Sequence, residues 1–232
     1  KIIDESDLPG EPWISIPHLP EVEKGLYTVF APTSPAADLY MKNAKHLTDL
    51  LPKSDKTQVV TIAAVKSGAG TSTFVGNLAV ALTAHRPVLM IDFHHTAPNL
   101  HSLFSVKTSS QDLMSSGPLA PSVLPTPIDK LFLLPLFSPR TEKEMLDRNL
   151  KKSMAAFVKE ANPPPRLILI DAAPIGRSDL FEQVLEFTDV FLLLLGPEPT
   201  PASAKSNLKR LLKTMKKKPI LRVTRQTQEM AN

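Results

Sequence analysis

The residues best suited to chemistry are the loop Gly68-Ala69-Gly70-Thr71-Ser72-Thr73 and two aspartates, Asp92 and Asp171, each closing an apolar run. A strand that turns through closely spaced glycines into a helix presents backbone N–H groups and a positive helix end to an anion. In working loops of this kind a lysine reaches the terminal phosphates, and the next serine or threonine holds magnesium. Gly68 and Gly70 supply the turn and Ser72 and Thr73 supply hydroxyls, but the lysine position is Thr71. Asp92 follows Val88-Leu89-Met90-Ile91 and Asp171 follows Leu167-Ile168-Leu169-Ile170. A carboxylate at that end of a strand can hold magnesium, directly or through water, or orient an attacking water. The competing reading is a tight strand-helix turn that binds nothing, with aspartates that cap the turns after them.

The elements that must position these residues follow from hydrophobic pattern. Buried-strand runs are expected at Gln58–Val65, Val88–Ile91, Leu131–Leu134, Leu167–Ile170, Val190–Leu195 and, more weakly, Ile220–Val223. Helical patterns lie at Pro35–Leu51 with Ser34 as cap, Ser72–Ala84, Glu142–Glu160, Leu180–Phe187 and Ala202–Lys217. Unbroken apolar strands alternating with amphipathic helices predict an α/β fold, a mostly parallel sheet flanked by helices on both faces. In such sheets ligands lie at the carboxyl ends of the strands, where the loop and both aspartates fall. Thr108–Thr126, with Pro118, Pro121 and Pro125, reads as loop. Residues 1–33 carry Pro9, Pro12, Pro17, Pro20 and Pro32 and read as an extended arm, whose Trp13, Ile14 and Ile16 dock on the domain formed by residues 34–232, the favoured reading, or else on a partner.

Composition narrows the function classes. With 232 residues, 42% of them hydrophobic and 22% charged, the chain suits one sizeable globular domain plus an appendage. It has no cysteine, so disulfides, zinc-thiolate sites and cysteine nucleophiles are excluded, in keeping with a reducing compartment. Apolar runs such as Val190–Leu195 are strand-sized, and the first residues lack the apolar centre of a signal peptide, so a cytoplasmic chain is expected. The formal charge of +4 implies no nucleic-acid partner by itself. His94 and His95 are adjacent, so on an extended segment they point apart, and His101 adds no ligand at helix spacing; no metal site is expected from them. From Asn207 to Lys218, Leu208, Leu211, Leu212 and Met215 share one helical face with Lys209, Arg210, Lys213, Lys216 and Lys217 around the rest. This is a covering helix with a solvated basic face, or else a contact for anionic lipid or an acidic partner.

Val59 to Phe104 resembles the bacterial tyrosine kinase (BY-kinase) and polysaccharide co-polymerase family, a branch of the ParA/MinD-like (SIMIBI) P-loop NTPases. The matching stretches are Lys66-Ser-Gly-Ala-Gly-Thr-Ser-Thr-Phe, Gly76-Asn-Leu-Ala-Val-Ala-Leu, Val88-Leu-Met-Ile-Asp-Phe-His and Pro98-Asn-Leu-His-Ser-Leu-Phe. Leu167-Ile-Leu-Ile-Asp-Ala-Ala-Pro and Asp189-Val-Phe-Leu-Leu-Leu-Leu extend it, and Ser34-Pro-Ala-Ala-Asp-Leu-Tyr is similar to the family's helix before the first strand. The resemblance spans roughly Ser34 to Val223 and implies the P-loop NTPase-like fold. It implies ATP or ADP at Lys66, Gly68, Ala69, Gly70, Thr71, Ser72 and Thr73. Magnesium would sit at Ser72, Asp92 and Asp171, and Asp92 and Asp171 would be the catalytic carboxylates of an active enzyme.

The departures fall on the chemistry. The family's phosphate lysine corresponds to Thr71, and the second aspartate of its Asp-x-Asp motif to His94. The glutamate and two arginines that build the family's ring correspond to Asp38, Met41 and Ala44, and its base-contacting asparagine to Thr224. No tyrosine-rich tail occurs; the tyrosines are Tyr27 and Tyr40, and the sequence closes on Gln228-Glu229-Met230-Ala231-Asn232. Losing the cation beside the phosphates alone costs ~3–4 kcal/mol of transition-state stabilisation, by analogy with deleting an oxyanion-hole donor. The expected function is therefore a degenerate, non-catalytic pseudokinase, a regulatory or scaffolding partner in bacterial exopolysaccharide (capsule, biofilm) biosynthesis and export, with ATP/ADP and Mg2+ binding weak or lost. Its expected partner is a membrane polysaccharide co-polymerase or related export-machine protein, at the inner face of the cell membrane, with self-association open but not as the usual ring. The alternative is an active or weakly active ATP-binding protein, either a tyrosine autokinase or a ParA/MinD-like ATPase positioning a pilus or other polar machine.

Overall fold

A computed structural model of the chain describes residues 11–16, 26, 31–94, 98–108, 123–135, 150–178, 180–196, 200–215 and 218–225. The elements run β1 (Glu11–Ile16), α1 (Pro35–Leu50), β2 (Gln58–Ala64), α2 (Thr71–Leu82), β3 (Val88–Phe93) and α3 (Leu100–Leu103). They continue with β4 (Leu124–Pro125), β5 (Leu131–Pro135), α4 (Leu150–Glu160), β6 (Leu167–Ala172), α5 (Phe181–Phe187), β7 (Val190–Leu195), a 3-10 turn (Ala202–Ala204), α6 (Lys205–Met215) and β8 (Ile220–Arg225).

One eight-stranded sheet has the order β1-β8-β7-β2-β6-β3-β5-β4. Every pairing is parallel except the short β4–β5 ladder. β2, β3, β6 and β7 are buried along their whole length, which is why each reads as an unbroken apolar run rather than an alternating one. Alternate residues feed two cores. Val60, Ile62, Met90 and Leu169 pack under α1 and α2 with Leu47, Phe74 and Leu78. Val59, Ile91, Ile168 and Leu193 pack under α4, α5 and α6 with Met154, Val184 and Leu208. The result is a sheet between two helical layers.

Local chemistry sets the helix ends. Ser34 caps α1, its hydroxyl accepting from the Ala37 N–H at 3.1 Å, with Pro35 at the first helical position. The helix stops just before Pro52, whose ring disfavours helical backbone in the residue ahead of it.

Part of the N-terminal stretch belongs to the sheet. β1 lies parallel against β8, and a bulge between Pro12 and Ile14 breaks the alternation. Ile14 and Ile16 are buried and Trp13 is half-buried, all packing with the core under α1, and the Trp13 Nε1–H donates to His46 Nδ1 at 2.9 Å. The rest of residues 1–30, apart from Leu26, lies outside the described residues, as do 109–122 of the expected loop and 136–149, where the Glu142–Glu160 helix was expected to begin. Leu212, expected on the apolar face of α6, is 47% exposed instead. Leu208, Leu211 and Met215 fill the width of that face, and Leu212 is one residue, or about 100°, beyond Leu211.

Candidate functional site

The loop from Lys66 to Gly70 leaves the carboxyl end of β2, the strand on either side of which the chain's progress across the sheet reverses. Gly68 and Gly70 both adopt left-handed backbone, with φ of 80° and 83°. An L side chain in that region costs roughly 1–2 kcal/mol, which is why glycine stands at both positions. Gly70 is the last residue before α2, and its carbonyl accepts the Phe74 N–H at 2.9 Å, the first bond of the helix. The N–H groups of the first turn have no helical partner and face outward with the positive end of the helix dipole.

Strand register brings the acids to this loop. Ile62 of β2 pairs with Asp171 of β6, and Asp92 of β3 pairs with Asp171 from the other side. Both carboxylates lie on the face covered by α2. Loop, His94, Asn99, Asp171 and Pro174 together line a cleft of about 160 Å³. That is below the roughly 300–1,000 Å³ of whole-ligand pockets, and is the size of a phosphate end rather than of a nucleotide.

The two aspartates are used differently. Asp92 Oδ1 accepts the His94 N–H at 3.2 Å, and Oδ2 accepts the N–H groups of Asn99 at 3.1 Å and Leu100 at 3.0 Å. It is absent from the cleft lining. Its carboxylate thus caps the chain from His94 to the start of α3. Burial pushes it up to about 6, with the three backbone donors and nearby His94 pulling the other way. Asp171 is driven well above the usual carboxylate range, first by burial and then by the charge of Asp92, while a hydrogen bond from Ser72 opposes both. Its Oδ2 is buried and has no hydrogen-bond partner among the described residues.

A buried carboxylate oxygen without a donor, beside a serine hydroxyl at a helix start, is the hard oxygen set that a divalent cation takes. Ser72 and Asp171 therefore fit magnesium, and the loop N–H groups fit a phosphate. Thr71 brings no charge to that end. Lys66, at the start of the loop, also lines the cleft, its Cε about 3.7 Å from where a Cβ on Gly196 would stand.

The other positions singled out in the sequence scatter. On α1, Asp38 is exposed and paired with Lys42 at 2.6 Å, and Met41 is 40% exposed. Ala44, by contrast, is wholly buried in the core and could carry no outward contact. Thr224 does not line the cleft; its hydroxyl donates to the Ile14 carbonyl at 3.3 Å and ties β8 to β1. Tyr40 is buried against Phe74, ring centroids 5.8 Å apart. Tyr27, His95 and residues 226–232 lie outside the described residues. Asn99 and Pro174 were not singled out as site residues, because only the folded loops carry them to the cleft.

No protein-family model matches the chain, and no curated protein is significantly similar to it in sequence. Solved structures are similar in fold. The kinase domain of Escherichia coli tyrosine kinase ETK superposes with a TM-score of 0.75 at 16% identity, over 94% of this chain and 91% of that one. The chimerical protein CapA2B2 superposes with a TM-score of 0.73 at 20% identity, over 96% and 97%. The septum site-determining protein MinD complexed with Mg-ADP from Pyrococcus horikoshii reaches 0.56 at 22% identity, over 71% and 68%. The chain therefore has the α/β, P-loop NTPase-like fold shared by tyrosine kinase domains of this kind and by MinD-like proteins.

Proposed function

We propose that this chain is a degenerate, non-catalytic relative of the BY-kinase domains, retained as a regulatory or scaffolding partner in bacterial exopolysaccharide biosynthesis and export. The observation that carries the reading is Thr71: the glycine turn is intact at φ of 80° and 83°, yet the residue that should neutralise the phosphates is uncharged. Phosphoryl transfer depends on positioning and charge neutralisation, so this single loss removes most of the catalytic power. The commitment of Asp92 to three backbone donors supports the same reading, since a carboxylate spent on its own loop has little left for metal or water. Burial of Tyr40 removes one of two tyrosines from the reach of any kinase. In this reading the chain docks on a membrane polysaccharide co-polymerase or related export-machine protein at the inner face of the membrane, and Ala44 and Met41 supply no ring contact.

The Ser72–Asp171 pair and Lys66 favour a second reading, weak binding of ATP or ADP with magnesium. Magnesium would neutralise part of the phosphate charge between Ser72 and Asp171, and Lys66, at the start of the loop, would approach the phosphates too. Calorimetry with ATP and magnesium, on the chain and on Thr71→Lys, separates the two. The first reading expects no measurable heat from the unmodified chain and binding restored by Thr71→Lys, on the scale of ~10²–10³-fold for one well-placed charged donor. Tight binding with turnover by the unmodified chain sinks it.

A further inference from the structure

We infer that the outer face of α6 is a docking surface for an anionic lipid bilayer. From Ala202 to Lys218 the chain has seven cationic side chains and no acidic one. Packing sorts them. Arg210 is committed to Glu182 of α5, Nε to Oε1 2.7 Å. Lys218 reaches back to the carbonyls of Leu185, Glu186 and Thr188 at the end of α5. That leaves Lys205, Lys209 and Lys213, spaced four apart and therefore in one stripe along the helix, all exposed and without an ion-pair partner among the described residues. The sequence continues the series with Lys216 and Lys217. Of the described acidic groups on neighbouring α5, Glu182 is already paired and Glu186 is exposed.

Beside the stripe stands Leu212, 47% exposed, although the apolar face of α6 is already filled by Leu208, Leu211 and Met215. An interfacial helix uses such a residue, because lysine stems snorkel around an apolar side chain that enters the headgroup region. The kind of cation also bears on the partner. Lysine is a point charge without the fork that matches a fixed carboxylate, and the one arginine of this helix is the one that makes a fixed pair. Exposed lysines without a fixed partner, beside a leucine, match a fluid anionic surface better than a structured acidic protein. No described helix is long and apolar enough to cross a membrane, so the contact is one of lying on the surface.

The test is sedimentation of the full chain with vesicles. Vesicles of phosphatidylcholine with about a third phosphatidylglycerol should bind it in ~0.1 M salt, and ~1 M salt, where the Debye length falls to about 3 Å, should release it. Each lysine near such a surface contributes roughly fivefold, so Lys205→Gln, Lys209→Gln and Lys213→Gln together should weaken partitioning roughly a hundredfold. The three sites are exposed, so the melting curve should not change, and Leu212→Ser should weaken binding further. Absence of binding to the anionic vesicles, equal binding to pure phosphatidylcholine, or binding untouched by the triple variant overturns the proposal. Capture by immobilised polyglutamate without capture by vesicles also overturns it, in favour of an acidic protein partner.

Discussion

Replacing Asp171 with asparagine removes one of two facing buried carboxylates while keeping the shape of the side chain. Asp92 and Asp171 are partners in the β3–β6 ladder and are 0% and 1% exposed. Adjacent strands lie about 5 Å apart, and two charges at that distance repel by about 3 kcal/mol at an effective dielectric constant near 20. Burial pushes Asp92 from 3.8 up to about 6, and burial together with the charge of Asp92 drives Asp171 well above the usual carboxylate range. The folded chain therefore holds protons on this pair more tightly than the unfolded chain does. The contribution is fully favourable below 3.8 and is lost as pH rises through about 6 and beyond. At about pH 7.5, without divalent metal, Asp171→Asn should stabilise the fold by at most the ~3 kcal/mol of repulsion that it relieves. For a chain of this length that is a melting point up to roughly 10 °C higher. Thermal melts by circular dichroism in EDTA at about pH 7.5 and pH 5 measure it, and the gap should shrink at the lower pH as the wild-type pair takes up protons. Millimolar magnesium should raise the wild-type melting point and leave the variant where it is. A variant that melts no higher at pH 7.5, or a gap unchanged at pH 5, refutes the argument that the two buried carboxylates repel each other in the folded chain.

Two further outcomes test the packing around the site. Trp13 is the only tryptophan, so its fluorescence reports β1 alone. In urea its transition should coincide with that of backbone circular dichroism, and Ile16→Ala, at a position 2% exposed, should lower both by ~2–4 kcal/mol; a separate early tryptophan transition would make β1 a detachable arm. Gly176 has φ of 82°, and a Cβ there would stand 2.1 Å from Asn207 Nδ2. Gly176→Ala should cost ~2–3 kcal/mol in urea unfolding, from backbone strain plus loss of the Asn207 bond to the Ile175 carbonyl, and an unchanged midpoint would contradict that.

Much of the architecture is legible in the sequence because the central strands are buried on both faces. Val190-Phe-Leu-Leu-Leu-Leu can be little but a core strand, and Ser34-Pro35 marks a helix start by local chemistry alone. The same holds for Gly68 and Gly70, whose place between a strand and a helix marks a tight turn. Less legible are residues whose role depends on neighbours far along the chain. Ala44 reads as a surface position by correspondence with the resembled family, but the core fixes which side of α1 it occupies. Leu212 reads as core by helical spacing, and only the width of the sheet contact leaves it outside.

The glycine turn, with Thr71 following Gly70, was determined by sequence alone, since a turn and its side chains are set within a few residues. What Asp92 and Asp171 do was decided only by the tertiary structure. Both close similar apolar runs, yet Asp92 is surrounded by the N–H groups of its own loop and Asp171 is left with an oxygen facing no donor among the described residues. The physical reason is that a carboxylate's role follows from the donors and charges that stand beside it. For Asp92 these are N–H groups of its own folded loop, and for Asp171 they include Asp92, some eighty positions away, brought there by a strand register that no local pattern encodes.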